Sequence, residues 1–581
     1  MAIVRRPSWD TETLAAVVIA GVVVAIAAFK TTLGISFFDD SFYVAVPLRL
    51  AAGAHLFTDE AALQSTGSLL AVPFTALWHA LFGISGIVLA SRLFYVALAA
   101  TAGFVMARAL RPSFGALVPV LAASVVLLAP AYNTFAVSYN TVAQLAFMLC
   151  VSLVFAARRD ASRAAAAGAG ALAAFGCVSY PPLAVAALPA AAVAVFVLRD
   201  RRLWAWLLGG AGVVLGVTGA WLLATIPVRA IVEAFRFASG AGYSGEGGAI
   251  TIDDRLALWS RELTRLARSR AWWPAGVLSV LVALPFVKGR AKALLAALLP
   301  LAVAFPGALT LTRGGVPWSF GVPAMSYLLA LTVALVPLVL FTTVQALRTE
   351  PAEDDDGPKP RDRVRIVALA AGFSAVAIPL VALTSSSGFV GGMPGVGAAP
   401  FALAALLCWL SLISREAGRR AAFSAGVVLL SVQVALLFSV SYKDAAPFEL
   451  DRRVARGAAA GILTTADRAQ TIAGVERGIG SLARPGSRLL VVTAPLVYVL
   501  TDVEPLTYLT WVVPGPSDRA ILEYFDRAGE TPDIVVVARG LLSEADDSVP
   551  LDPSDPLLAW ITSNYIPAER AGYVIMRRRF Q

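Results

Sequence analysis

Leu69-Leu70-Ala71-Val72-Pro73-Phe74-Thr75-Ala76-Leu77-Trp78-His79-Ala80-Leu81-Phe82 is the stretch on which the architecture of this chain turns. It is apolar enough to suggest a membrane crossing. As a helix, however, it would reach only about 21 Å against a hydrocarbon core of about 30 Å. Pro73, Trp78 and His79 also interrupt it. The short loops that follow arbitrate. Basic clusters recur at Arg108 and Arg111; at Arg158, Arg159 and Arg163; at Arg199, Arg201 and Arg202; at Lys288, Arg290 and Lys292; and at Arg415, Arg419 and Arg420. If 69–82 crosses the bilayer, every cluster lands outside. If it lies in the interface as an amphipathic helix, every cluster falls in the cytoplasm, as the positive-inside rule requires. The interfacial reading is the consistent one.

Working outward, the 581 residues are 58% hydrophobic and 15% charged, with mean hydropathy +0.75. Such a composition cannot coat a soluble surface, so the fold class is a polytopic α-helical membrane protein. Apolar runs long enough to cross predict about thirteen spans. They lie near 12–30, 87–107, 114–130, 141–157, 164–179, 183–198, 203–224, 272–287, 293–311, 323–346, 364–384, 399–414 and 421–441. The first follows Arg5 and Arg6 without a small-residue cleavage site and reads as a retained signal anchor, with the N-terminus cytoplasmic. The net charge of +9 resides in those loop clusters, which makes it a topology signal rather than a nucleic-acid surface. Cys150, Cys177 and Cys408 sit in apolar runs, and His55 and His79 are the two histidines. Neither a disulfide framework nor a zinc site is expected.

The outer segments are then 31–86, 131–140, 225–271, 312–322, 385–398 and all that follows 442. The acidic, proline-bearing tract 347–363 reads as a cytoplasmic linker. The chain divides into a membrane domain, 1–441, and an outer α/β domain, 442–581. In the latter, Arg488-Leu489-Leu490-Val491-Val492-Thr493 and Asp533-Ile534-Val535-Val536-Val537-Ala538 read as buried strands. Residues 517–528 and 555–564 read as helices, and 572–577 as a last strand.

The first outer segment holds Phe37-Phe38-Asp39-Asp40-Ser41-Phe42-Tyr43. Acids bracketed by aromatics at a bilayer edge carry a desolvation penalty, so at least one is expected to work chemically. A helix cap near Ser41 would explain one carboxylate but not two. A hydroxyl nucleophile needs a carboxylate to take its proton, whereas a phosphate leaving group needs charge, for which arginine is suited. Arginines on the outer side are Arg49, Arg92, Arg236, Arg255, Arg261 and Arg313. Arg92, a turn inside its span, is the first choice as phosphate ligand; a structural ion pair with Asp39, Asp40 or Glu60 is the alternative.

The order of apolar helix, acid pair with tyrosine, interfacial helix, Leu81-Phe82-Gly83 and Arg92 resembles the GT-C superfamily of membrane glycosyltransferases. It is similar in particular to the lipid A aminoarabinose transferases and protein O-mannosyltransferases. The resemblance covers roughly the first 200 residues and is architectural beyond them. It implies transfer of a sugar from a polyprenyl-phosphate donor, with inversion, on the outer face of the cell membrane. Asp39 corresponds to the family's catalytic aspartate and Asp40 to its neighbour. Where the aminoarabinose transferases carry a second acid followed by Lys-Pro, this chain has Gln64-Ser65-Thr66-Gly67-Ser68; Asp59 or Glu60 could substitute.

Neutral sugar contacts are sought at Tyr43, Tyr132, Asn133, Tyr139, Asn140, Tyr243 and Trp318, residue types that also serve in interfacial belts and helix ends. The glycine-rich segment within 225–271 reads either as a lid over the donor or as a linker. A divalent cation on the acid pair is left open, but two adjacent carboxylates alone make a weak site. The expected partners are a lipid-linked sugar donor, membrane lipids, and a glycan, lipid or protein acceptor of the envelope; arabinose and mannose are both open as the sugar. The rival readings are a transporter or flippase for lipid-linked sugars, an O-antigen ligase or polymerase, and a non-enzymatic envelope scaffold.

Overall fold

The computed structural model describes residues 10–131, 134–184, 200–239, 270–284, 289–313, 415–441, 443–513, 518–538, 555–570 and 573–579, with scattered positions between them. Four described helices are long and apolar enough to cross a membrane: α1 (Thr11–Lys30), and those over Ile87–Pro112, Tyr139–Asp160 and Arg201–Thr225. The chain is a helical membrane protein with a C-terminal sheet domain. Of the expected spans, 183–198, 323–346, 364–384 and 399–414 lie wholly or largely outside the described residues. The span expected at 114–130 is an eleven-residue helix.

α1 starts where Asp10 accepts from the Thr13 amide at 2.7 Å, and ends at Lys30, whose ammonium donates to the Val440 carbonyl at 2.6 Å. That buried bond ties the first span to the end of the last described one. After α2 (Asp39–Ala51), the deciding stretch splits in two. Residues Leu63–Ala71 form a 3-10 helix and Val72–Phe82 form α3, with Pro73 in its first turn, where a missing amide costs nothing. α3 presents Leu77, Leu81 and Phe82 outward and stacks Phe74 on Phe94 at 4.4 Å. It is a short apolar helix beside the bundle.

α4 (Ile87–Phe114) runs back along α1: Arg92 reaches the Thr31 end and Arg111 the Thr13 end. α5 (Leu117–Leu127), α6 (Tyr139–Asp160) and α7 (Arg163–Ser179) follow. α6 opens with a capping box between Ser138 and Thr141. α7 and α8 (Arg201–Thr225) cross with backbones almost touching. A Cβ on Gly170 would lie 1.8 Å from the Leu207 carbonyl oxygen, and one on Gly210 would lie 2.0 Å from that of Ala167. Small residues allow this approach where lipid supplies no hydrophobic drive. Next come α9 (Val228–Ser239), α10 (Trp273–Ala283), α11 (Gly289–Arg313) and α12 (Arg415–Phe438).

Beyond Ser441 a two-strand ribbon, β1 (Arg452–Arg453) with β2 (Leu463–Thr464), precedes α13 (Ala466–Leu482). The remaining elements are β3 (Arg488–Val492), α14 (Leu496–Leu500), β4 (Glu504–Pro505), α15 (Asp518–Ala528), β5 (Ile534–Ala538), α16 (Pro556–Asn564), β6 (Tyr565–Arg570) and β7 (Tyr573–Arg578). The sheet order is β4-β3-β5-β7-β6, with β4, β3 and β5 parallel and β7 and β6 antiparallel. Its central strands are covered on both sides. Leu489, Val491, Ile534 and Val536 pack against Ile35, Phe37, Phe38 and Val44, which follow α1. Leu490, Val492, Val535 and Val537 pack in the cluster that contains Phe42, Tyr43 and Val46. The stretch that follows α1 and the C-terminal domain therefore share their cores.

Candidate functional site

The chain leaves α1 through Gly34, whose φ of +76° and crowding (a Cβ would sit 2.8 Å from that of Ser441) exclude a side chain. Its amide donates to the Leu463 carbonyl at 2.8 Å, and the Ile35 amide donates to Asp444 at 2.9 Å. The segment before the acid pair is thus clamped by the C-terminal domain. Asp39 and Asp40 then open α2, where the exposed amides of the first turn favour negative charge.

The two acids have different surroundings. Asp40 is 5% exposed and forms an ion pair with Arg92, itself 6% exposed. The other Arg92 nitrogen donates to the carbonyls of Thr31 and Gly34, each at 2.8 Å. Arg92 therefore knots the end of α1 to the start of α2. The second Asp40 oxygen, Oδ1, is buried and makes no hydrogen bond among the described residues. Asp39 keeps about a fifth of its side chain open. Its carboxylate lies 3.1 Å from the Lys443 ammonium, which also stands over the Phe38 ring at 5.3 Å. Tyr139 is within electrostatic reach of Asp39. It begins a row of rings, 6.0 Å to Tyr43 and 5.3 Å to Tyr180, and Asn140 is buried beside it.

A second cation approaches from α13. Arg468 pairs with Asp444 at 3.0 Å, donates to the Ile35 carbonyl at 2.7 Å and lies 5.7 Å from the Phe37 ring centre. Sequence reasoning attached no chemistry to the C-terminal domain. The structure brings Lys443 to Asp39 from beyond the last span, and places Arg468 within electrostatic reach of Asp40. The available signal was Lys443-Asp444 directly beyond the last apolar run, a charged pair where a span ends.

Arg49 and Glu60 are brought together elsewhere. They pair at 3.2 Å, both buried. Glu60 also accepts from the Thr510 amide at 2.8 Å and from its hydroxyl, while Arg49 donates to the Thr507 carbonyl and to Thr510. Burial pushes the Glu60 carboxyl up, with Arg49 and Thr510 pulling it back down. This cluster joins α2 and the loop after it to the strand–helix connection of the sheet domain. Asp59 stands apart from the acid pair, accepting from the His55 amide at 2.8 Å. Arg261 is exposed. Tyr132, Asn133, Tyr243, Arg255 and Trp318, and the side chains of Arg236 and Arg313, lie outside the described residues. Among the described residues no three His, Cys, Asp or Glu side chains converge.

No family model matches the chain, and no curated protein matches its sequence. Solved structures do match. One is ArnT from Cupriavidus metallidurans bound to undecaprenyl phosphate, with 15% identity over 97% of each chain and a TM-score of 0.40. Another is the oligosaccharyltransferase AglB from Archaeoglobus fulgidus with an inhibitory peptide and a dolichol-phosphate. It shows 11% identity over 99% of this chain and 75% of that one, with a TM-score of 0.43. A second structure of the Archaeoglobus enzyme, with zinc and sulfate, gives 12% identity, 96% and 73% coverage and a TM-score of 0.41. ArnT and AglB are both members of the GT-C superfamily.

Proposed function

We propose that this chain is an inverting glycosyltransferase of a cell membrane. It moves a sugar from a polyprenyl-phosphate donor to a hydroxyl of an envelope glycan, lipid or protein, with the sheet domain on the outer face. One observation carries the reading: a partly open carboxylate, Asp39, stands 3.1 Å from an ammonium, Lys443, on a helix start held in place by the buried Asp40–Arg92 pair. A base and a phosphate-binding cation are the two groups this reaction needs.

The acceptor oxygen attacks the anomeric carbon as the bond to the phosphate oxygen breaks. The electron pair leaves with the polyprenyl phosphate, and Asp39 takes the acceptor's proton. A single displacement inverts the centre. Lys443 shifts from Asp39 to the departing phosphate, which frees the base as the donor binds. Arg92 is committed to Asp40 and to two carbonyls, so it positions the acids rather than holding the donor. Tyr43, Tyr139 and Asn140 line the approach as sugar contacts, and Arg49 and Glu60 serve as a structural clasp.

The test is mass-spectrometric detection of transfer in proteoliposomes. Synthetic polyprenyl-phosphate arabinose, mannose and glucose would be supplied with an envelope extract. Turnover of one donor, lost in Asp39→Asn while the protein still inserts and binds donor, is the expected result. Turnover that survives Asp39→Asn overturns the assignment of the base. Donor binding and translocation without transfer would replace the transferase by a transporter.

A further inference from the structure

A groove of about 330 Å³ opens between α1, α4 and α5, at the end of these helices remote from the acid pair. Its floor is shallow because the side chains there are small: Ala16 and Ala20 from α1, Ala99 and Gly103 from α4. It extends along α1 from Thr13 to Val24, a rise of about 16 Å, or roughly half the hydrocarbon thickness. That depth matches one acyl chain of one leaflet and is too short for a long polyprenyl chain. Ser124, a polar lining residue, already donates to the Val120 carbonyl at 2.8 Å, so the wall is dry.

The mouth of the groove is cationic. Arg108 and Arg111 line it, both exposed, and Arg111 is steadied by the Thr13 hydroxyl at 3.1 Å. Neighbouring acids make their hydrogen bonds elsewhere, while Asp10 stays within electrostatic reach of Arg111 and Asp160 of Arg108. Glu12 accepts from the amides of Ala116 and Leu117 at 2.8 and 3.2 Å. Asp10 caps α1, and Asp160 is held by Arg159 through two bonds of 2.6 Å. Two guanidiniums thus stand at headgroup depth above an apolar slot, and their planar donors match phosphate oxygens.

We propose that this groove seats one acyl chain of an anionic phospholipid, with its phosphate held by Arg108 and Arg111, in the leaflet facing away from the acid pair. The site is independent of the proposed transfer reaction.

Native mass spectrometry of the full chain, delipidated and titrated with phosphatidylglycerol or phosphatidylcholine, tests this. The wild type should bind phosphatidylglycerol in preference. The Arg108→Ala/Arg111→Ala double variant should bind it roughly 30-fold more weakly, from two headgroup-depth cations. Gly103→Leu, which fills the slot, should lose it with both arginines intact. The surface double variant keeps the test valid if Gly103→Leu does not fold. Equal binding of phosphatidylcholine, or undiminished phosphatidylglycerol binding in the double variant, would overturn the proposal. Displacement of phosphatidylglycerol by polyprenyl phosphate at equal concentration would do so too, by assigning the groove to another lipid.

Discussion

At the scale of single residues, adjacent aspartates divide two tasks by burial. Asp40 lies inside and compensates a buried guanidinium; Asp39 lies at the opening and faces an ammonium. Removing one partner of a buried pair strands the other charge, at about 3–5 kcal/mol. Arg92→Met should therefore lower the melting temperature sharply in a thermal scan. Asp39→Asn should leave it unchanged while kcat falls by about 10²–10⁴-fold. If the two substitutions exchange these phenotypes, the division of roles is reversed. Lys443→Met should act mainly on the donor's KM, and Lys443→Arg should recover part of it. The acids were legible in the sequence because charge beside Phe37, Phe38 and Phe42 is costly and therefore conspicuous. Lys443 was not, because a lysine at the end of a span is what snorkelling alone would place there.

At the scale of elements, apolar run length located α1, α6 and α8 to within a few residues, since a membrane span announces its length in composition; it found the start of α4 but not its end, which runs on through Arg108 and Arg111 to Phe114. It failed for α2. That helix carries Pro47 and an arginine, has no long apolar run, and draws its stability from packing against the sheet rather than from its own pattern. The strands β3, β5 and β7 were legible as short apolar runs, whereas β4 is two residues long and β6 contains Pro567. Helix contacts were also hidden, because glycine carries no hydrophobic signal. Gly170→Ala would force a Cβ into the Leu207 carbonyl. The α7–α8 crossing should loosen by about 1–3 kcal/mol, seen as earlier unfolding in a detergent titration, whereas Gly209→Ala, where space is open, should be neutral.

At the scale of the whole molecule, the sheet domain is a wall of the site as well as a neighbour. Its stability also carries a pH signature. Asp518 is buried against Asp555, and burial, reinforced by the hydrogen bond between the two carboxyls, pushes it up to about 7. Its unfolded value is about 3.9. A raised folded value favours the protonated form, so this contribution is complete below about pH 4 and is lost as pH rises through 7. The protein should melt a few degrees higher at pH 5.5 than at pH 8, and Asp518→Asn should flatten that difference. A melting temperature that rises from pH 5.5 to 8 would sink the assignment.

The clamp on the acid pair has a consequence for the order in which the protein comes into being. Arg468 stands 433 residues beyond Ile35, whose carbonyl it binds, and Asp444 stands 409 residues beyond the same residue's amide. A ribosome makes the acid pair hundreds of residues before it makes the residues that clamp the segment in front of it. The nascent protein is therefore a bundle whose acid pair is not yet fastened, and residues made far later act as its keystone. The order of synthesis alone therefore sets when the acid pair is fastened, without a separate regulator.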